Sequence, residues 1–163
     1  MPDSQPLLTT VPDLAILLAA AYRAVAERLL RSMERGGIRG MRPLYGFVIR
    51  AVAAEAPTIS RLAELLDVTK QAASKLADDM VRKGFLARRE EAADRRRARL
   101  VLSRKGQAVL ARARRTSAAM ERELRAHCGR AEVEAFRRTL TVFVERHGAL
   151  DDVQARRARP VRL

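Results

Sequence analysis

The chain has 163 residues, of which 48% are hydrophobic, and this is enough to bury the core of one domain. Its 33 Lys and Arg residues against 19 Asp and Glu residues give a net charge of +14, which favours nucleic acid or an anionic membrane surface as a partner. No apolar run reaches the roughly 18 to 20 residues of a spanning helix, no secretion signal is visible, and one cysteine excludes an internal disulfide framework, so we expect a cytoplasmic protein without membrane contact.

The N-terminal part of the chain predicts two helices. Residues 1–10 are polar and should be flexible, whereas residues 11–36 repeat apolar side chains every three or four positions up to a Gly-Gly pair. A second helix should begin at Pro43, because the missing backbone donor costs nothing at the first helical position. Its inward residues are predicted to be Leu44, Phe47, Val48, Ala51 and Val52.

A pair of short helices should follow in residues 58–83. Thr58-Ile59 has the composition of a brief strand, and Ser60 is a candidate N-cap for a helix ending near Leu66. Thr69 is a second candidate N-cap, for a helix that reaches Lys83 before Gly84 stops it. The buried face of this second helix is predicted to comprise Ala73, Leu76, Ala77, Met80 and Val81.

A β-hairpin is predicted directly after this helix pair. Its arms are Leu86–Arg89 and Ala98–Leu102, and residues 90–97 form its tip. Because the tip has no Asn-Gly turn signal, we expect a longer and mobile loop.

Two further helices complete the predicted fold. Ser103 should cap a helix of about 25 residues that reaches His127, and another should run from Ala131 to about His147. The basic tail 149–163 should be disordered. The apolar residues of the last helix that should face inward are Val133, Phe136, Leu140, Phe143 and Val144.

The fold class is therefore mainly α with a small β-hairpin wing, a winged helix-turn-helix at 42–103 flanked by terminal helices. The helices at 11–36 and 104–148 are longer than such a small core can cover. We expect them to intertwine with a second copy of the chain in a two-fold dimer. The alternative is a monomer that folds these helices onto its own centre.

The residue types in the first half of the second short helix suit DNA recognition. In a helix-turn-helix, the start of the second helix enters the major groove, where Gln can pair with adenine, Lys with guanine and Ser or Thr with bases or phosphate. Asp78 and Asp79 follow, and we expect them to pair with Lys75, Arg82 and Lys83. The alternative is an ordinary solvated helix surface. The candidate DNA-binding residues are Thr69, Lys70, Gln71, Ser74 and Lys75.

The hairpin is rich in arginine, which can enter the minor groove from a narrow ribbon. The candidate DNA-binding residues at its tip are Arg95, Arg96 and Arg97, and Asp94 is placed to orient Arg96 through a bidentate pair. The alternative is a charged loop that only keeps the protein soluble. Further arginines lie on the arms, at Arg88, Arg89 and Arg99.

Over roughly residues 14–147 the chain resembles the MarR-type transcriptional regulators. The matching segments read TKQAASKL at 69–76, MVRKGFL at 80–86, DRR at 94–96, LVLS at 100–103 and KG at 105–106. The Asp-x-Arg motif of the wing, at its distance from the recognition helix, is the specific part of this pattern.

The resemblance implies a homodimer that binds a pseudo-palindromic operator, with the first and the last two helices at the dimer interface. It implies that Arg96 is the minor-groove residue and that Asp94 supports it. It also implies a repressor that small phenolic or lipophilic ligands release from DNA, through a crevice between the dimerisation and DNA-binding parts. The oxidation-sensing branch has its cysteine in the first helix, which has none here, so we expect Cys128 to be a small buried side chain or a bystander.

Other functions find less support in the residues. We expect no enzyme and no cofactor, since the two histidines have no nucleophile at a suitable spacing. A metal-responsive winged helix is an alternative because His127 and Cys128 adjoin, although zinc needs three or four ligands. A nucleoid-type protein that coats DNA without sequence preference is another, and it predicts similar affinity for any duplex.

Overall fold

In a computed structural model, residues 13–91 and 94–147 are described, with the backbone alone for residues 91 and 94–97. Within these ranges the chain is mainly helical with one antiparallel hairpin, which confirms the predicted fold class. The elements are α1 Leu14–Arg35, α2 Pro43–Glu55, α3 Ile59–Leu66, α4 Lys70–Arg82, β1 Leu86–Glu91, β2 Asp94–Leu102, α5 Arg104–Cys128 and α6 Arg130–Arg146. The predicted flexible N-terminus (1–10) and basic tail (149–163) lie outside the described residues.

Helix α2 begins at Pro43 as predicted, but its buried face is different from the predicted one. Val48, Ala51 and Val52 are buried, whereas Leu44 and Phe47 are only partly so. Tyr45 and Ile49 take their place, each 1% exposed. Tyr45 and Ile49 are four residues apart and share the Val48–Val52 face, which is the periodicity that could have identified them.

The start of α3 corrects two predictions. Thr58 rather than Ser60 is the N-cap, and its hydroxyl oxygen accepts a hydrogen bond from the Arg61 amide at 3.3 Å. Ile59 is the first residue of the helix, so the predicted strand at Thr58-Ile59 is wrong. Directly before this segment, the Pro57 carbonyl accepts a hydrogen bond from the Leu100 amide of β2 at 2.9 Å.

The hairpin is paired further towards its tip than the sequence predicted. β1 and β2 pair regularly from Leu86↔Leu102 to Glu90↔Ala98, and the next pair is Glu91↔Asp94. The predicted eight-residue loop at 90–97 is therefore wrong, because most of those residues belong to strands. Residues 95–97 fall between two consecutive pairs, which is the arrangement of a bulge, and bulges commonly redirect side chains.

The core lies where α2, α3 and α4 meet the hairpin and the first turns of α5. Gly106 shows how closely these parts approach, because a Cβ there would lie 2.2 Å from the Phe85 carbonyl oxygen. Ser103 caps α5 as predicted, its hydroxyl oxygen accepting from the Gly106 amide at 3.0 Å. The largest fully buried side chains are Tyr45, Phe85, Ile49, Leu62, Met80, Leu100 and Val48.

Helices α1, α5 and α6 extend away from this core. Arg112 fixes the end of α1 by donating from Nε to the Ser32 carbonyl oxygen at 2.5 Å, and Arg28 pairs with Glu123 further along. Most of their apolar residues stay uncovered. Phe136 and Phe143, predicted to face inward, are 54% and 41% exposed, because among the described residues α6 packs mainly against α5.

Candidate nucleic-acid interface

The start of α4 presents a polar surface opposite its buried side. The Thr69 hydroxyl oxygen accepts from the Ala72 amide at 3.2 Å and so ends the turn after α3 with a regular cap. Ala73, Ala77 and Met80 are fully buried and hold the other side of the helix against the core. Of the predicted DNA-binding residues, Thr69, Lys70, Gln71 and Lys75 are exposed, and Ser74 is half-buried.

The two acids of α4 are paired, but only partly as the sequence predicted. Asp79 pairs with Arg82 at 2.6 Å and with Lys83 at 2.8 Å. Asp78 pairs with Arg88 of β1 at 2.6 Å and accepts a long hydrogen bond from Ser74 at 3.5 Å. Among the described residues no ion pair of Lys75 with either acid is present, so that predicted pairing is wrong.

The arginines on the hairpin arms divide into different roles. Arg88 ties β1 to α4 through Asp78, and Arg99 donates from Nη1 to the Ala56 carbonyl oxygen at 3.3 Å. Arg89 is exposed. The predicted tip residues Asp94, Arg95, Arg96 and Arg97 lie on β2, but their side chains are outside the described part of the chain, so the Asp94–Arg96 pair stays a prediction.

A buried tyrosine that the sequence analysis missed joins α2 to the end of α4. The Tyr45 hydroxyl donates to Asp79 Oδ2 and accepts from Lys83 Nζ at 2.6 Å. The hydrogen bonds from Lys83 and Tyr45 hold the pKa of the Asp79 carboxyl well below its usual range. The Asp79 carboxylate in turn raises the pKa of Lys83, so both groups stay charged.

An apolar crevice of about 270 Å³ lies between α1, α2 and α5. It is lined almost entirely by apolar side chains, with Arg42 and Arg50 at its polar edge. A crevice of this composition suits a small, largely apolar molecule. Lining residues from the three helices include Val25, Leu29, Met33, Phe47, Val109 and Leu110.

The metal and redox alternatives gain nothing from the geometry. Residues 13–91 and 94–147 hold no group of three or more His, Cys, Asp or Glu side chains that could bind a metal ion. Cys128 is a free and exposed thiol, so the option of a small buried side chain is wrong for it. No helix in the described residues is both long enough and apolar enough to cross a membrane.

Comparison with known proteins agrees with this geometry. Residues 39–97, from just before α2 to the hairpin, match the model of the MarR family, and no curated protein sequence matches. A repressor named CouR, solved bound to a 23-mer DNA duplex, is 25% identical over 81% of this chain and 92% of its own, with a TM-score of 0.61.

Two further structures share the fold at lower identity. The MepR protein of S. aureus, solved as a DNA complex, is 20% identical over 80% of this chain and 97% of its own (TM-score 0.63). A MarR transcriptional regulator from Methanosarcina mazei is 16% identical over 82% of this chain and 95% of its own (TM-score 0.62). Residues 39–97 thus match the MarR family of transcriptional regulators, and the chain shares the fold of these solved structures.

Proposed function

We propose that this protein is a cytoplasmic repressor that binds a pseudo-palindromic DNA site as a homodimer. One observation carries the proposal. Exposed Lys70, Gln71 and Lys75 share the first half of α4, while the acids of its second half are held in ion pairs with Arg88, Arg82 and Lys83. A helix that offers donors at its start and neutralises the carboxylates behind them suits the major groove.

The hairpin is proposed to extend the contact into the minor groove. The first strand of the hairpin, β1, is fixed to α4 by the ion pair between Arg88 and Asp78. The wing and the recognition helix would therefore approach DNA as one body. Arg96 is proposed as the inserted residue, supported by Asp94, with Arg95 and Arg97 near phosphates. The register of the hairpin supports this assignment, because residues 95–97 lie between the pairs Glu90↔Ala98 and Glu91↔Asp94 and so stand outside the regular pairing of the two strands.

The dimer is proposed to form through α1, α5 and α6. These helices carry the large exposed apolar side chains of the described chain, and soluble monomers rarely expose so many on long neighbouring helices. A two-fold dimer would cover them and set two recognition helices one DNA turn apart. The residues to be covered are Leu14, Ile16, Leu17, Tyr22, Val25, Leu124, Phe136, Val142 and Phe143.

The crevice between α1, α2 and α5 is proposed to bind a small phenolic or lipophilic effector that releases the protein from DNA. Its position supports this role, because α1 and α5 belong to the proposed dimer interface and α2 packs on the recognition unit. A ligand there would contact both parts and could favour one arrangement of them over another. Release from DNA would then relieve repression.

Selection from random duplexes, followed by competition binding, tests the proposal. A regulator should enrich a two-fold site and bind it on the order of a thousandfold or more tighter than random DNA. The alternative of a nucleoid-type protein, which the net charge of +14 favours, predicts equal affinities and a steep salt dependence.

The wing is tested on the selected site with Arg96→Ala. We expect specific affinity to fall strongly while the dimer survives, because a minor-groove guanidinium is lost without any change in the helices α1, α5 and α6. Arg130→Ala, at the exposed start of α6, removes the same charge away from the wing and serves as the matched control. Unchanged affinity of Arg96→Ala would show that the wing does not engage DNA.

A further inference from the structure

The hydroxyl of the buried Tyr45 side chain contacts two charged groups. The side chain is 1% exposed, and its ring meets Phe85 edge-on with the ring centroids 5.7 Å apart. A buried hydroxyl needs hydrogen-bond partners. Here both partners, Asp79 and Lys83, lie at the C-terminal end of the recognition helix α4, more than thirty residues along the chain.

The partners form a closed cluster. Lys83 Nζ lies 2.8 Å from Asp79 Oδ2 and 5.0 Å from the centre of the Tyr45 ring, and Arg82 pairs with the other Asp79 oxygen at 2.6 Å. Lys105 of α5 donates to the Lys83 carbonyl oxygen at 2.9 Å. The end of α4 is thereby held from α2 on one side and from α5 on the other.

The cluster fixes direction more than it supplies packing. Helix α4 rests on the core through the buried residues Ala73, Ala77 and Met80, with Leu76 and Val81 partly buried beside them, and such apolar contacts are non-directional. Hydrogen bonds to charged groups are shorter and more directional than apolar contacts. Asp79 and Lys83, one turn apart on α4, therefore specify which way its exposed face is turned.

Helix α2 makes this contact relevant to the crevice. Arg42, Pro43, Gly46 and Phe47, on either side of Tyr45 in sequence, line the crevice. Tyr45 itself is absent from the crevice lining and instead contacts Phe85 and the end of α4. A displacement of α2 by a bound molecule would therefore move the Tyr45 hydroxyl relative to Asp79 and Lys83.

We propose that the Tyr45 hydroxyl is a positioning group for DNA recognition: together with Asp79 and Lys83 it sets the angle of α4 against α2, and the ability to tell the target site from random DNA depends on it. This inference rests on the proposed function. It assigns no DNA contact to Tyr45, which is buried, and acts through the orientation of Lys70, Gln71 and Lys75.

The test is Tyr45→Phe, which removes the hydroxyl and leaves the ring, the charge and the Phe85 contact. Affinities are measured by competition for the selected site and for random duplex at one salt concentration. We expect specific affinity to fall about tenfold, the order expected for a lost hydrogen bond to charged partners, and random affinity to stay within about twofold because no charge changes. Thr139→Ala, which removes a hydroxyl at an exposed site of α6, is the control and should change neither.

A second variant guards against a trivial loss of structure. Asp79→Asn keeps an acceptor for the tyrosine but loses the charge that holds Lys83, so the ratio of specific to random affinity should also fall. With Tyr45→Phe added, the ratio should fall little further, because both substitutions break one unit. Circular dichroism and sizing confirm that each variant is a folded dimer.

The outcomes separate this inference from the proposed function. If the wild-type protein does not prefer a selected site, the proposed function fails before Tyr45 is at issue. If the wild type discriminates and folded Tyr45→Phe keeps the full ratio, the positioning role is wrong and the hydroxyl serves stability alone. Losses that multiply independently in the double variant would also overturn the proposal.

Discussion

The winged helix, which comprises α2, α3, α4 and the hairpin, buries its large apolar residues. The three helices α1, α5 and α6, called the arms below, leave many of theirs exposed. In the winged helix, Leu62, Phe85 and Leu100 are at most 1% exposed and belong to one hydrophobic core. In the arms, Phe136 and Leu124 remain about half exposed on helices that are longer than those of the winged helix. The first region is complete within this chain, and the second is complete only if another surface covers it.

This difference separates two kinds of stability. Packing within the winged helix is intramolecular and does not depend on protein concentration. Covering of the arms by a second copy would depend on concentration and would link folding of the arms to assembly. Substitutions in the two regions should therefore differ in kind as well as in size.

The largest effect is expected from charge placed on the exposed face of α6. Phe136→Asp with Phe143→Asp should dissociate the dimer, because burying two carboxylates there is costly. Affinity for a two-fold site should fall by about 10²–10⁴, the usual gain from linking two binding units. Sedimentation and DNA binding measure both.

The control for this pair is Ala54→Asp with Ser60→Asp, which adds the same charges at exposed positions of α2 and α3, outside the proposed dimer interface. It should leave the dimer intact. If the α6 variant stays dimeric, the arms do not meet through this face.

Two leucines test the contrast directly. Leu62→Ala, at a 0% exposed site of α3, should cost about 2–5 kcal/mol of unfolding free energy at every protein concentration, through lost burial and the cavity left behind. Leu124→Ala, at a 49% exposed site of α5, should lower the thermal midpoint only as far as it weakens the dimer. A concentration-independent loss for Leu124→Ala would place that residue in the fold of the single chain.

A smaller effect is expected at Gln71, which is exposed on α4. Gln71→Ala should relax base preference at one position per half-site, worth about 1–3 kcal/mol if a bidentate contact to adenine is lost. Repeating the selection from random duplexes with the variant measures this. Gln107→Ala, at an exposed site of α5, is the control, and an unaltered Gln71→Ala profile would remove Gln71 from the reading residues.

The smallest effect is a pH dependence at Asp79. Because its folded-state pKa lies below the usual value of 3.8, the carboxylate stabilises the fold above about pH 5, and this is lost as pH falls through 3.8 and below. The difference in unfolding free energy between wild type and Asp79→Asn should therefore shrink on acidification from pH 5 to 3. Thr139→Ala, at an exposed and non-titrating site of α6, should differ from wild type by a constant amount.

The helices could be predicted well because their signals are local. Pro43, Thr69, Ser103 and Gly84 act through their own backbone geometry, and each ends or begins an element where predicted. The register of the hairpin could not be predicted, since it depends on pairing that the sequence of one strand does not specify. The strand wrongly predicted at Thr58-Ile59 has another cause. The Thr58 side chain caps α3, and this cap outweighs the strand composition of the two residues.

In the candidate site, too, local features could be predicted from the sequence and contacts between distant residues could not. The exposed start of α4 followed from helical periodicity, and the pairing of Asp79 with Arg82 and Lys83 followed from their three- and four-residue spacing. The contacts of Asp78 with Arg88 and of Tyr45 with Asp79 join distant parts of the chain. Such contacts require the tertiary arrangement, and no spacing in the sequence announces them.

Footprinting of the selected DNA site with hydroxyl radicals tests most directly that two winged helices act as a pair. We predict two equivalent protected half-sites about 10 to 10.5 base pairs apart, centred on a two-fold axis, with protection of the flanking minor groove lost in Arg96→Ala. A single protected half-site, or uniform protection along any duplex, would contradict the paired reading of DNA.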